Sequence, residues 1–263
     1  LKEYGVTFGV FFDYIYLMSL KYQLSFILVF LIGVGSGFTQ NIGSINFSKI
    51  KAEIENPESD YYYPNLLERI WADDTTLTVK HYKRLYYGSV FQDTYHPYGA
   101  SDTKKSFTEL YSKRKHKEAI EKGKDVLHEN PVDIEVTLKM IYSYLELKDT
   151  LSAKIYGHKY FNFLDVIYAS GDGQTAQTAF VVVSVDDEYR IVGDLGLKVR
   201  AQMLIDDCDL LIFEKRSQRK VRKKKIKQLY FNVQMPLMSL SGTFKDADLP
   251  DPDPEDEEDE SQD

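Results

Sequence analysis

The chain has 263 residues, an apolar content of 43% and a formal net charge of −8. The apolar content excludes global disorder, and a single cysteine excludes an intrachain disulfide framework or a multi-cysteine zinc site. The charge is uneven: residues 246–263 hold eleven acids and no base, leaving 30 acids against 33 Lys and Arg elsewhere. The acidic balance therefore describes a tail, on a length that fits one medium domain or two small ones.

Residues 18–40 read MSLKYQLSFILVFLIGVGSGFTQ. Met18 can start a chain, Lys21 supplies a positive n-region, and residues 24–34 form an apolar h-region before Gly35, Ser36, Gly37 and Thr39. This predicts a signal peptide cleaved near Thr39, Gln40 and Asn41, and a mature protein in the periplasm, envelope or medium. An uncleaved anchor is the alternative, although the apolar run is short of the ~20 residues a span needs. Residues 1–17 are read as an over-extended gene start. Cys208 lies between Asp207 and Asp209, where nearby acids disfavour a reactive thiolate.

The spacing of Phe47, Ile50 and Ile54 predicts a short amphipathic helix. Pro64 sits in the first turn of a second helix, with Leu66, Leu67 and Ile70 on one face. Thr78 caps a third helix over residues 79–87, closed by Gly88 in the C′ position. In that helix Tyr82, Leu85 and Tyr86 face inward while Lys80, Lys83 and Arg84 face away. The aromatic group Tyr61 to Tyr63, Trp71, Tyr82, Tyr86, Tyr87, Tyr95 and Tyr98 is read chiefly as core, with Tyr87 and Tyr98 as the exposed members that could form a binding platform.

Residues 103–168 read as helices, and a thirty-four-residue offset aligns Ala119 with Ala153 and Gly123 with Gly157. Small residues at fixed places where helices cross are the mark of tetratricopeptide-type hairpins; two ordinary helical hairpins are the alternative. Asn130 and Pro131 end the first pair, and Asp133 caps the next helix.

After Gly171, Asp172 and Gly173, a hinge, β-branched residues predict a strand over 178–185. Asp186 or Asp187 then caps a short helix. Residues 199–205 and 210–215 form a hairpin around Asp206 and Asp207, and residues 228–234 form a third strand ended by Pro236. Short connections predict an antiparallel meander.

The segments YYYPNLLERIWADDTTLTVKHYKRLYYG (61–88) and SGDGQTAQTAFVVVSVDDEY (170–189), with the helices between them and the strands that follow, resemble a bacterial family known as domain of unknown function 4919. The resemblance covers roughly residues 45–240. It implies an extracytoplasmic domain of mixed helices and strands, found mostly in secreted or envelope proteins of bacteroidete-type bacteria. It implies no activity.

No histidine pair has the spacing of a helical zinc motif, no Gly-x-Ser-x-Gly elbow is present, and residues 170–173 lack the Lys of a phosphate loop. No cofactor and no metal is therefore expected. Two carboxylate pairings could do acid–base work: Glu68 with Asp73 or Asp74, and Asp187 with Glu188. Residues 215–227 carry nine bases, with Lys223, Lys224 and Lys225 as candidates for an anionic surface. The run lacks interleaved aromatics, so nucleic acid is not expected; a solvated hairpin loop is the plainer reading. The tail, stiffened by Pro250, Pro252 and Pro254, is expected to be disordered and could pair with the basic run.

The sequence thus predicts an α+β domain over residues 41–245. Residues 61–168 are mainly helical, with tetratricopeptide-like hairpins, and pack on a small antiparallel sheet drawn from residues 174–240. The expected function is non-enzymatic binding of a protein, peptide or glycan. The alternatives are a hydrolase-like enzyme using Glu68, Asp74 and His81, or an anionic-surface binder acting through residues 215–227.

Overall fold

The computed structural model describes residues 45–218, 220–221 and 224–241. Residues 1–17 and 18–40, on which the gene-start and signal-peptide readings fall, Lys223 and the acidic tail 246–263 lie outside the described residues. The fold is α+β, with nine helices and a four-stranded sheet among those residues. None of these helices is long and apolar enough to cross a membrane.

Helix α1 (Phe47–Glu55) buries Phe47, Ile50 and Ile54 and starts at Asn46, whose side chain accepts the Lys49 N–H at 2.8 Å. Helix α2 (Tyr63–Trp71) carries Pro64 in its first turn and buries Tyr63, Leu66 and Ile70. Helix α3 (Val79–Gly88) begins with a reciprocal cap between Thr78 and His81. Two details differ from the sequence reading. Gly88 is the last helical residue, followed by a 3-10 turn over Ser89–Phe91, rather than a left-handed stop. A methyl group there would meet Ile54 at 3.0 Å and Tyr63 at 3.1 Å, so its smallness serves helix packing. Arg84 faces inward, buried in a two-pronged pairing with Glu53 at 2.8 and 3.1 Å.

Helices α4 (Asp102–Ser112), α5 (His116–Glu129), α6 (Ile134–Glu146) and α7 (Thr150–Tyr168) pack as successive hairpins. Their turns repeat at the predicted offset. Arg114 and Lys148, thirty-four residues apart, both take φ near +60°. Lys115 N–H donates to the Leu110 carbonyl, and Asp149 N–H to that of Tyr144, in the same pattern. The interior is less symmetric. A methyl group on Gly123 would overlap Met140 and approach Phe107, whereas one on Gly157 would meet nothing. Only the first glycine is imposed by close helix packing.

Strand β1 (Phe180–Val181), helix α8 (Val185–Asp194), β2 (Val199–Ile205), β3 (Cys208–Phe213), β6 (Gln228–Asn232) and helix α9 (Gln234–Ser241) complete this part. The sheet order is β1-β6-β3-β2. The pair β2/β3 is a hairpin turned at Asp206, and β3/β6 is antiparallel. β1 runs parallel to β6, with Phe180 opposite Phe231, so the sheet is mixed rather than an antiparallel meander. Parallel pairing needs a long crossover, and α8 with the β2/β3 hairpin supplies it. β1 is also only two residues long: the other β-branched residues of 178–185 lie outside the ladder, and Ser184, not an aspartate, caps α8. The strand predicted over 228–234 stops at Asn232, and Pro236 sits within α9 instead of ending that strand. Within the basic run, Lys220–Val221 (β4) pairs with Lys224–Lys225 (β5) in a separate short ladder, so the run is not wholly a loop.

Candidate functional site

A cleft of about 1060 Å³ opens where six segments meet. One wall is α2, through Tyr63, Leu67 and Trp71. The loop after the 3-10 turn supplies Tyr95, His96 and Tyr98. The start of α4 gives Ser101 and Lys104, and the end of α5 gives His128 and Glu129. The floor carries Asp133, the cap of α6, and Ser184, Asp186 and Asp187 at the start of α8. Each segment is held by its own local chemistry. The Asp133 carboxylate accepts the Val136 N–H at 2.9 Å, and Ser101 accepts that of Lys104 at 3.1 Å. These are ordinary helix caps that happen to aim polar residues at one space.

Lys104 is the organising cation. Its ammonium lies 2.8 Å from Asp133 and 3.1 Å from Asp186, with Glu135 at 4.0 Å. Burial alone would depress this lysine; the carboxylates of Asp133 and Asp186 outweigh it and hold the ammonium above its usual value. The contacts tie α4, the α6 cap and α8 together.

Asp187 stands far from its ordinary state. It is 5% exposed, and burial pushes its carboxyl up to about 8. The Tyr86 hydroxyl donates to its Oδ2 at 2.8 Å and Lys104 opposes the rise, while the charges of Asp133 and Asp186 add to it. Tyr86 in turn accepts the Val183 N–H at 3.2 Å. Its neighbour Glu188 is fully buried and raised to about 9, by burial first and then by Asp209. Neither Glu188 oxygen has a hydrogen-bond partner while both carboxyls are ionised, since Asp209 is then only an acceptor. The contact becomes a hydrogen bond when one of the two carries a proton, which is the form the raised value describes.

The aromatic lining is half open. Trp71 is 39% exposed, stacks on His128 at 4.2 Å between ring centres, and donates its indole hydrogen to the Leu127 carbonyl at 3.3 Å. Tyr98 is 38% exposed, and Tyr95 donates to the Val183 carbonyl at 2.7 Å.

The residues singled out from the sequence are distributed differently. Glu68, Asp74 and His81 do not line the cleft. Glu68 is exposed on α2. Asp74 is engaged by the hydroxyl and backbone of Thr76 and by Arg69 at 2.7 Å, and these hydrogen bonds lower its carboxyl to about 2. His81 caps α3 through Nδ1 and is lowered, chiefly by burial. Asp74 and His81 thus serve a local turn and a helix cap, and none of the three residues faces the cleft. Tyr87 is 0% exposed, so the expected exposed ring is corrected: its hydroxyl reaches the Val181 carbonyl inside the core. Tyr98 does reach the cleft. Lys225 is exposed and Lys224 lies in β5. Among the described residues, no group of three or more His, Cys, Asp or Glu is placed to hold a metal ion.

Sequence reasoning had weighed Asp187 and Glu188 as a pair and Trp71 as one aromatic among many. It missed Lys104 and Glu129, and it read Asp133 as a cap alone. The cap reading is right, and nothing in the local pattern says that the same aspartate also faces a lysine from another helix.

Fold and cleft together define an α+β domain with a helical wall, a mixed sheet and an aromatic, carboxylate-lined cavity. The chain belongs to the family described as domain of unknown function (DUF4919), whose model matches residues 48–241. No curated protein and no solved structure matches the chain.

Proposed function

We propose that the protein is an extracytoplasmic binding module that takes a peptide or glycan segment of its partner in this cleft. The observation that carries the reading is the cavity itself. It is large for a small-molecule site, carries the open rings of Trp71 and Tyr98, and is edged by oriented polar side chains. Tyr and Trp bind at low entropic cost because each has few rotatable bonds. Helices α4 and α5, which border the cleft, belong to a run of hairpins whose thirty-four-residue offset favours a tetratricopeptide-like reading, and such hairpins commonly present a recognition surface. Export follows from the leader at residues 18–40, cleaved near Thr39 or retained as an anchor.

Trp71 is the sole tryptophan, so its fluorescence reports the cleft directly. Titration with a panel of short peptides and oligosaccharides should give saturable changes in its emission. Binding that leaves the emission unchanged, and that survives Trp71→Ala together with Tyr98→Ala, would place the ligand elsewhere and end this reading. N-terminal sequencing of the protein recovered from envelope and medium tests the export.

A further inference from the structure

The cleft has an unbalanced charge. Asp93, Glu129, Asp133, Asp186 and Asp187 line it against the single cation Lys104. Lys104 is already engaged by Asp133 and Asp186. With Asp187 protonated the lining still keeps three negative charges in excess. A concave, partly dry wall of one sign focuses its field on what enters.

Among the described residues, two carboxylates are set up without a cation of their own. Glu129 accepts hydroxyl hydrogens from Ser101 at 3.2 Å and Thr103 at 2.7 Å, one on each oxygen. These neutral donors fix its direction and leave its charge uncompensated. Asp187, almost wholly buried yet lining the cleft, spends Oδ2 on Tyr86; no hydrogen-bond donor among the described residues reaches its Oδ1. A half-satisfied buried carboxyl in a cavity wall is an open hydrogen-bonding position, and it becomes an acceptor when a cation draws off its proton. The exposed faces of Trp71 and Tyr98 offer what a guanidinium or a lysine stem packs against. A neutral glycan would use the rings and could donate hydroxyl hydrogens to the carboxylates, but it would leave their excess charge unbalanced. An anionic glycan would be repelled.

We propose that the ligand of this cleft is a basic peptide segment, whose Arg or Lys side chains pair with Glu129 and the acidic start of α8. This rests on the binding reading above and deepens it. The charged and titratable groups around Asp187 are Lys104 from α4, Asp133 before α6, Tyr86 and Tyr87 from α3, Tyr95 from the loop, and Asp186 and Glu188 on α8. A cation beside Asp187 favours its ionised form, so binding releases a proton.

The test is a Trp71 fluorescence titration of the full chain at low salt. The probes are an Ala-Arg-Ala-Lys-Ala peptide, the same peptide with Glu at both charged positions, and spermidine. The basic peptide should saturate, and the acidic one should not bind. Glu129→Gln combined with Asp93→Asn should weaken the basic peptide roughly tenfold, and added salt should weaken it further. Both changes are near-isosteric and leave the Lys104 contacts in place. Should the pair fail to fold, Asp93→Asn alone, on an exposed loop residue, should weaken binding about threefold. The eleven acids of the tail are untouched in every variant, so binding to the tail would leave the affinity unchanged and overturn the proposal. Equal binding of both peptides would overturn it too, and spermidine matching the basic peptide would assign the site to a free polyamine instead. A neutral oligosaccharide that shifts Trp71 while the basic peptide does not would defeat this inference and leave the cleft reading standing.

Discussion

The tyrosines of α3 and the aromatics of the cleft come from one dense stretch of sequence and meet opposite fates. Tyr82, Tyr86 and Tyr87 are fully buried, whereas Trp71 and Tyr98 keep more than a third of their surface open. Residue type does not separate the groups; position does. Three tyrosines at i, i+4 and i+5 on a central helix must lie under whatever covers it, here α7 and β1 with the segment that follows. A tryptophan at the end of α2 has only His128 on one face. The same ring that fills a core becomes a platform when its element ends.

The sharpest way to break that contrast is Tyr87→Ala. The ring packs edge-on against Phe47 at 5.6 Å and Tyr86 at 5.0 Å. Its loss should cost about 3–5 kcal/mol, as large-to-small changes of buried aromatics do. Chemical denaturation measures this, and a cost below ~1 kcal/mol would mean that the ring is dispensable to the core.

Within the closed group, Tyr86 and Tyr82 should respond to loss of a hydroxyl with opposite signs. Tyr86→Phe removes a donor to Asp187 and an acceptor for Val183 N–H, which should cost about 1–3 kcal/mol. The Tyr82 hydroxyl is buried with no hydrogen-bond partner among the described residues, while its ring stands edge-on to Phe163 at 5.0 Å. Tyr82→Phe deletes an unsatisfied polar atom and keeps the packing, so stability should stay equal or rise by up to ~1 kcal/mol. Matching losses in the two variants would show that the difference in partners does not matter.

Asp187 lies where the closed and open regions meet, and it sets the pH dependence. Its folded value near 8, and that of Glu188 near 9, stand above those of the unfolded chain. Between the unfolded value near 4 and the folded value, the native state holds a proton that the unfolded state has released. Stability is therefore greatest at the acid end of that window and falls as pH rises toward 8 or 9. Each group contributes a slope of up to about 1.4 kcal/mol per pH unit. Asp187→Asn removes one such group and should flatten the urea-measured slope between pH 5 and 7 by about that amount. An unchanged slope would mean that Asp187 is ionised in the native state.

Most helices were legible because their signals are local. Thr78 and Asp133 each cap the helix they precede, and the thirty-four-residue offset reappears in paired turns at Arg114 and Lys148. The sheet was less legible. Its hairpin follows from Asp206 and alternation, but the parallel seat of β1 depends on β6, some fifty residues later. The cleft was least legible of all. Glu68, Asp74 and His81 attracted notice because they lie close together in sequence and carry catalytic side chains. Lys104, Asp133 and Asp186 form a site because three distant segments converge, and no spacing rule encodes that. Tyr87 was misplaced for a related reason: a helical pattern gives the face of a ring, not what lies above it.

The smallest stability effect belongs to the open side and carries the most information about function. Trp71→Ala gives up a ring stacked on His128 and one hydrogen bond to the Leu127 carbonyl. With more than a third of the indole already in water, the cost should be about 1 kcal/mol or less, well under that of Tyr87→Ala. Loss of ligand affinity should run the other way, large for Trp71→Ala and small for any folded variant of the closed group. A surface that is cheap to alter and decisive for binding is one the fold does not need. If Trp71→Ala proved as destabilising as Tyr87→Ala, the stack on His128 would be a strut between α2 and α5, and the openness of the cleft would be incidental to its construction.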